Sequence, residues 1–489
     1  MSRDAPSRPD TAGDDQRDAP APRYRHSGLI LAICCFSLFI VSLDVTVVNV
    51  ALPSLGRDLH AGVTSLQWTL DAYTLTLASL LVLAGSTADR LGRRRIFQLG
   101  LVVFTLGSLL CSIAPSVGFL IAARVLQAVG GSMMNPVALS IITTTFTDKV
   151  KRARAVGVWG AVVGVSFGLG PFVGGLLVTT VGWRAIFIVN VPIGIAAIVL
   201  TALFVPESFG GRRKLDPAGQ ALIILTLAGV VFGLIEGPEL GWASPATLGA
   251  FVVAAVSLVA FIRVEQRLAE PLIDVRFFAS APFSAAVLTA VMAFAAWSGF
   301  LFVSTLYLQD ARQLTPIMAG LCTVPAGLAI LLLSPLSGRL VGKTGTRLPM
   351  ALAGIGIGGA SAVLLGLTTS TPLPLLIGTY TLFGAGFGMI NAPITNTAVS
   401  GMPNAQAGAA AAIASTARQV GAALGIAIAG SVTGAAGAGR IGASFATATH
   451  PLWWVVIGVA VAIIALSILS NTHWADRSSD RIAPLLAEA

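Results

Sequence analysis

The sequence predicts an all-α polytopic membrane protein of fourteen transmembrane helices, arranged as two six-helix bundles plus two inserted helices. Three observations predict it. Of 489 residues, 55% are hydrophobic and only 10% charged, whereas soluble domains carry about 25% charged residues. The apolar residues fall in blocks of about 20, enough to cross a hydrocarbon core as helices. Backbone groups in lipid must bond internally, and continuous rather than alternating apolar runs select helices over a barrel. Finally, the basic residues gather in every second connection.

Along the chain, residues 1–27 are rich in Asp, Arg, Pro and Ser, which reads as a disordered cytoplasmic tail. No small-residue cleavage site follows the first apolar block, so this is not a signal peptide. The apolar blocks then place spans at 28–50, 66–88, 96–114, 118–146, 154–178 and 184–205, the first bundle (28–205). Spans at 218–236 and 246–263 form the inserted pair (206–265). Spans at 283–309, 317–341, 348–368, 373–399, 406–435 and 451–471 form the second bundle (266–471), and 472–489 is a cytoplasmic tail.

With the N-terminus in the cytoplasm, this count places 24 basic residues inside and four outside (Arg57, Arg184, Arg312, Arg440), with Arg124 and Arg418 within spans. That satisfies the positive-inside rule, and a miscount by one would reverse the pattern partway along. A weak repeat supports the two halves. Gly85 to Gly92 after the second span and Gly338 to Gly345 after the tenth have the same spacing, each flanked by basic residues. Duplicated halves around a midplane site are a common transporter plan.

Nearly all of the 21 acidic residues lie in tails, loops or span ends; Asp44 and Asp71 do not. A carboxylate within a span is costly and usually faces a bundle interior or water-filled cavity. At 1.5 Å rise per residue, Asp44, Asp71 and Arg124 each lie about 8–9 Å from the outer end of their spans. The three share one layer, with Gln127 on the Arg124 face. A proton-coupling group is one reading, and a packing salt bridge is the other. The ladder Gly160, Gly164, Gly168 keeps one face of the fifth span bare for close helix approach, and Pro171 should bend it. Polar and aromatic residues within or near spans are the candidate substrate contacts: Asn49, Trp68, Tyr73, Gln127, Asn135, Trp297, Tyr307, Asn391 and Arg418.

Here the chain, from about residue 28 to 471, resembles the fourteen-span drug:proton antiporter family of the major facilitator superfamily. Leu43-Asp44-Val45-Thr46-Val47-Val48-Asn49-Val50-Ala51-Leu52-Pro53 is similar to that family's first-span signature. Residues 85–95 resemble the superfamily's loop motif, with Thr87 where Leu is usual. Arg124 through Gly131 resembles the fourth-span motif, with Ala128 for a usual Gly. Gly164 to Gly175 resembles the fifth-span antiporter motif, and Gly182-Trp183-Arg184 with Asn190-Val191-Pro192, and Arg418-Gln419, resemble further hallmarks. The resemblance implies a major facilitator fold, multidrug efflux, and proton coupling through Asp44 and Arg124, with Asp71 beside them. It implies a cytoplasmic lock at Gly85, Asp89, Arg90, Gly92, Arg93 and Arg94. Gly164, Gly168, Gly170, Pro171, Gly174 and Gly175 would be the bend and contact used in antiport. Broad-range members with dicationic substrates carry further acids in the second half. This chain has only Asp310 there, at a span edge, which favours neutral or monocationic substrates.

The expectation is therefore a monomeric, proton-driven exporter of small amphiphilic compounds in the cell membrane, with both termini cytoplasmic. An uptake carrier or facilitator on the same fold is the alternative, because fold does not fix direction. Clustered catalytic residues and pore-lining repeats are not evident, which argues against an enzyme or channel. No phosphate loop supports ATP drive, and no metal-ligand spacing or other cofactor signature occurs. The net charge of +9 is spread in clusters between spans and does not suggest nucleic acid. The 26 Arg against 4 Lys, with abundant Ala and Gly, fit a high-GC bacterium.

Overall fold

In the computed structural model, residues 26–210, 216–268, 271–400, 402, 406–435 and 445–487 are described. The tail read as disordered lies outside them, apart from its last two residues. Fourteen helices are long and apolar enough to cross a membrane. They are α1 (Ser27–Asp58), α2 (Val63–Leu91), α3 (Arg93–Ser112), α4 (Val117–Thr145), α5 (Lys149–Thr180), α6 (Ala185–Phe204) and α7 (Pro217–Leu240). The others are α8 (Pro245–Glu265), α9 (Ala281–Leu306), α10 (Pro316–Thr344), α11 (Arg347–Leu364), α12 (Leu373–Val399), α13 (Ala407–Ala435) and α14 (Phe445–Leu469). Two ends differ from the sequence reading. Helix α1 continues through Pro53 to Asp58. The tail read at 472–489 carries a further helix, α15 (His473–Ala487), whose Ser478 Oγ accepts from Ala281 N at 2.9 Å.

Side-chain caps start several helices where the sequence offers Ser, Thr or Asp. Ser116 accepts from Phe119 N, Asp148 from Lys151 N, and Thr315 from Met318 N. Each satisfies one of the donors that a helix N-terminus leaves free. Bonds between connections show that the spans alternate in direction. At one end, the α2–α3 turn bonds the segment after α6, and Thr346 donates to Asn471 Oδ1 at 3.1 Å. At the other, Arg184 pairs with Asp58, Arg57 with Asp310, and Arg312 with Thr371 O. The first end, which carries Arg90 to Arg95, is called the basic end below, and the second the opposite end.

Helices α1 to α6 pack among themselves, as do α9 to α14. The halves meet along two seams, α5 against α10 and α2 against α13. Of the inserted pair, α7 lies along the α2–α13 seam and α8 packs on α7. Exposed Leu, Val and Ile side chains cover the outward faces of α3, α8 and α11, as lipid-facing surfaces do.

Candidate functional site

Close packing inside the first half builds a buried polar network. A Cβ on Gly107 would come within 2.5 Å of Gln127 Cα, so only glycine lets α3 and α4 approach this closely. That approach brings Gln127 to Ser108, with Nε2 donating to Oγ at 2.7 Å. The same Nε2 donates to Asp44 Oδ1 at 2.9 Å, and Asn190 Nδ2 reaches that oxygen at 3.3 Å. Arg124 Nη1 pairs with Asp44 Oδ2 and donates to Gln127 Oε1 at 2.7 Å, while its Nε donates to Thr69 O at 3.2 Å. The guanidinium lies 4.0 Å from the Tyr73 ring centroid, a cation–π contact. The side chains of Arg124 and Asp44 are 1% and 0% exposed. Both oxygens of Asp44 are thus occupied, and a proton reaching them must displace a donor.

Asp71 is fully buried nearby but differently bound. Its Oδ1 accepts from Thr74 Oγ1 at 3.2 Å, and its Oδ2 has no hydrogen-bond partner. It sits two residues from Thr69, whose carbonyl holds Arg124. Ser108, Asn190 and Thr69 were not among the sequence candidates for this site. Asn190 carried a signal, a lone amide at the start of an apolar run; a carbonyl such as that of Thr69 carries none.

The candidate substrate contacts divide. Tyr73 and Gln127 belong to the Arg124 network and are closed off within the first half. Trp68 donates from Nε1 to Glu236 Oε1 on α7 at 2.7 Å, beside the α2–α13 seam. Glu236 was read as a span end, but α7 runs on to Leu240, so this is a further in-span acid. Tyr307 is buried at the opposite end, with its hydroxyl donating to Thr368 O at 2.6 Å. Asn49 donates to Val45 O, leaving Oδ1 unpartnered, and Asn135 Oδ1 is likewise buried without a partner. Trp297 stacks on Phe387 with centroids 4.7 Å apart, and Phe167 from α5 meets both edge-on. Asn391 opens the second segment of α12, and Arg418 donates to Thr395 of that segment at 2.5 Å.

The glycines of α5 face two ways. Cβ atoms at Gly170 and Gly174 would run into Thr46 and Val47 of α1. Those at Gly164, Gly168 and Gly175 would meet Leu331, Gly327 and Ile317 of α10 at 3.2, 3.6 and 2.8 Å. Pro171 lies over Gly320 of α10. This contact runs from the opposite end to the middle of both helices. Towards the basic end, Cβ atoms at Gly157, Gly160, Gly338 and Gly342 would meet nothing within 4 Å. The helices have parted there. The second seam is closed at the same end as the first: Gln67 Nε2 bridges to Ile426 O at 3.2 Å and Ala427 O at 3.0 Å. Gln309 donates to Val50 O at 2.7 Å, and Arg57 pairs with Asp310 at 3.0 Å. The halves are thus latched at the opposite end and open at the basic end.

The loop motif binds the segment that leads to α7. Asp89 accepts from Arg93 Nε at 2.9 Å, and its carbonyl accepts from Gly210 N at 3.0 Å. Arg93 N donates to Ser208 O, and Arg94 N to Glu207 Oε1, both at 2.9 Å. Gly92 has φ +109°, and a Cβ there would meet the Glu207 carboxylate at 2.7 Å. Gly85 lies over Pro136, and Arg90 is exposed.

A sequence profile described as Major Facilitator Superfamily matches residues 34–426. A protein of Mycobacterium tuberculosis named Multidrug resistance protein Stp is 36% identical over 388 residues, 79% of this chain and 72% of that one. The Tetracenomycin C resistance and export protein of Streptomyces glaucescens is 33% identical over 458 residues, 92% of this chain and 79% of that one. Among solved structures, a peptide transporter POT in complex with sulfate superposes with a TM-score of 0.64 at 16% identity, covering 93% of this chain and 95% of that one. The last likeness concerns the fold alone.

Proposed function

The chain belongs to the major facilitator superfamily, and from that premise we propose that it is a proton-coupled antiporter exporting small amphiphilic compounds, drugs or antibiotics among them, across the cytoplasmic membrane by alternating access. The observation that carries this reading is the α5–α10 seam, glycine-tight at one end and parted at the other. Such a contact can close and open by rocking two packed bundles about a midplane site. By the positive-inside rule the basic end faces the cytoplasm, with both chain ends there. The conformation described is then the one that loads substrate from the cytoplasm. The names of the two relatives, one a resistance protein and one a resistance and export protein, support outward transport.

Coupling needs a group whose proton occupancy differs between the two conformations, since a ligand shifts an equilibrium only through differential affinity. Arg124 stays charged, so Asp44 is the exchanging partner. In this reading the contact of Arg124 with Asp44 Oδ2 belongs to the step after the proton has left for the cytoplasm. Opening to the outside would loosen this pair and let a proton take the place of the guanidinium. Asp71, with a free oxygen in the same region, is placed to tune which substrates are accepted.

The test uses everted membrane vesicles, an imposed proton gradient and a panel of anionic, neutral and monocationic amphiphiles. At least one compound should accumulate, and a protonophore should release it. Equilibration of the compounds to the same level with and without the gradient would mean a facilitator and overturn the reading.

A further inference from the structure

Two arginines lie within spans, and they are treated differently. Arg124 is paired with Asp44 and sealed in the first half. Arg418, on α13, has no ion-pair partner among the described residues. Its Nη2 donates to Thr395 Oγ1, and its Nε is buried with no acceptor. A guanidinium is always charged and seeks planar, two-oxygen acceptors. Held within a span without an acid, it needs a water-filled cavity or an anionic ligand. The residues around it fit a cavity: Thr395 and Asn396 of α12 are exposed, and Arg418 itself is partly so.

Helix register places Arg418 against the rest of the cleft. A Cβ on Gly421 would touch Val291, and one on Gly425 would touch Ala295, so α13 and α9 run side by side with a fixed offset. Arg418 is therefore level with Leu288. At 1.5 Å per residue it lies about 9 Å on the basic side of Phe294 and about 13 Å from Trp297. Those two residues, with Phe387 and Phe167, form an aromatic cluster; Phe294 and Phe387 have centroids 5.0 Å apart. Trp297 Nε1 is a second buried donor with no acceptor. Phe167 comes from the first half and the others from the second, so rings stacked here would touch both halves. Of the in-span acids, Asp44 and Asp71 are fully buried in the first half, Glu236 of α7 is engaged by Trp68, and Asp310 is engaged by Arg57. The cleft therefore offers a cation and an aromatic face, with hydrogen-bond donors rather than acids.

Resting on the export reading, we infer that the substrates are planar aromatic compounds bearing an acidic group, a carboxylate, phenolate or enolate, with Arg418 holding the anion and the partly exposed Phe294 and Phe167, backed by the buried Trp297–Phe387 stack, taking the rings. The sequence expectation of neutral or monocationic substrates counted the missing acids. It placed Arg418 among the substrate contacts without drawing the consequence of its unpaired charge.

The probes are three compounds with one ring system: 2-naphthoate, 2-naphthamide and 2-naphthylmethylammonium. Binding to the purified full chain in detergent is measured by titration calorimetry. A charge-assisted bidentate contact predicts that wild type binds the naphthoate at least about tenfold tighter than the amide. Arg418→Gln should bring the two within about threefold of each other, and Arg418→Lys, keeping charge but not the fork, should retain part of the preference. Wild type that binds the ammonium compound as tightly as the naphthoate, or binds none of the three, overturns the inference. So does a preference unchanged in Arg418→Gln; should that variant not fold, Arg418→Lys and wild type decide. In everted vesicles, export of the ammonium compound alone would sink this inference and leave proton-driven export standing. Binding of naphthoate through Arg418 with no response to a proton gradient would do the reverse.

Discussion

Replacing Asp44 by Asn changes one atom, and the network around it gives the substitution no good orientation. Asp44 Oδ2 accepts from Arg124, while Oδ1 accepts from Gln127 and Asn190. An amide must turn its NH2 group towards one side or the other, and donors wait on both. Arg124 would keep Gln127 Oε1, the Thr69 carbonyl and the Tyr73 ring, but no counter-charge. Breaking a buried ion pair from one side costs about 3–5 kcal/mol. Removing both charges, in Asp44→Asn with Arg124→Gln, lets the glutamine carbonyl accept from the new amide. Most of the loss should return, which places the double variant about 2–3 kcal/mol above Asp44→Asn.

Two assays on the purified protein separate stability from coupling. Thermal unfolding in detergent should rank wild type above the double variant and the double variant above Asp44→Asn. Substrate-induced proton release, followed with a dye in weak buffer, should be abolished in both variants while substrate binding persists. Undiminished release from Asp44→Asn would remove Asp44 from the coupling step and put Asp71 in its place. A double variant no more stable than Asp44→Asn would refute the account of the buried pair.

Asp71→Asn keeps the Thr74 contact and breaks no ion pair, so stability should change by less than about 1 kcal/mol; a compound-panel efflux assay should show an altered substrate range with proton release intact. Gly327→Ala places a Cβ 2.5 Å from Phe167 O and from Gly168 Cα, and overpacking of about 1–3 kcal/mol should favour the state in which the opposite end opens; spin-label distances across Arg57 and Asp310 should lengthen. Asp89→Asn loses the ionic bond to Arg93 that helps hold the loop, so transport should weaken while membrane insertion, read by fractionation, stays normal.

Span number was legible because two independent patterns agree on it, apolar length and the alternation of basic connections. Span ends were less so. The first span, read as 28–50, continues as α1 through Pro53 to Asp58. What the sequence could not supply was the direction each helix faces. In a soluble helix, polarity marks the outer face, but a span apolar on all sides gives no such mark. Hence Tyr73 and Gln127, read as substrate contacts, pack around Arg124 instead, and Trp68 turns to α7. The Asp44–Arg124 layer was predictable because charge in lipid is costly enough to demand a partner. Ser108 and Asn190 were not, since their places depend on how closely Gly107 lets α3 approach α4 and Gly194 lets α6 approach α3.

The inserted pair shows what side-chain chemistry adds to a span count. Its α7 touches both halves, but in different ways. Towards the first half it makes hydrogen bonds: Glu236 with Trp68 at 2.7 Å, Glu239 with Thr64, and Gln220 with Ser79 O. Towards α13 it offers apolar contact, Val231 and Ile235 against Ala423 and Ala427. The Gln220 bond is buried and the Glu236 bond partly so, and a buried bond costs about 1–3 kcal/mol to leave unmade, whereas apolar contact can be exchanged for lipid tails of similar polarity. The segment leading into α7 is tied the same way, by Glu207, Ser208 and Gly210 to the Asp89–Arg94 loop. The polar bonds therefore bind α7 to the first half along its length and through the segment before it, and α8 is carried on α7. By polar bonding the fourteen spans divide as eight and six, and the loop expected to lock the two halves together is, in this conformation, the anchor that fastens the inserted pair to the first.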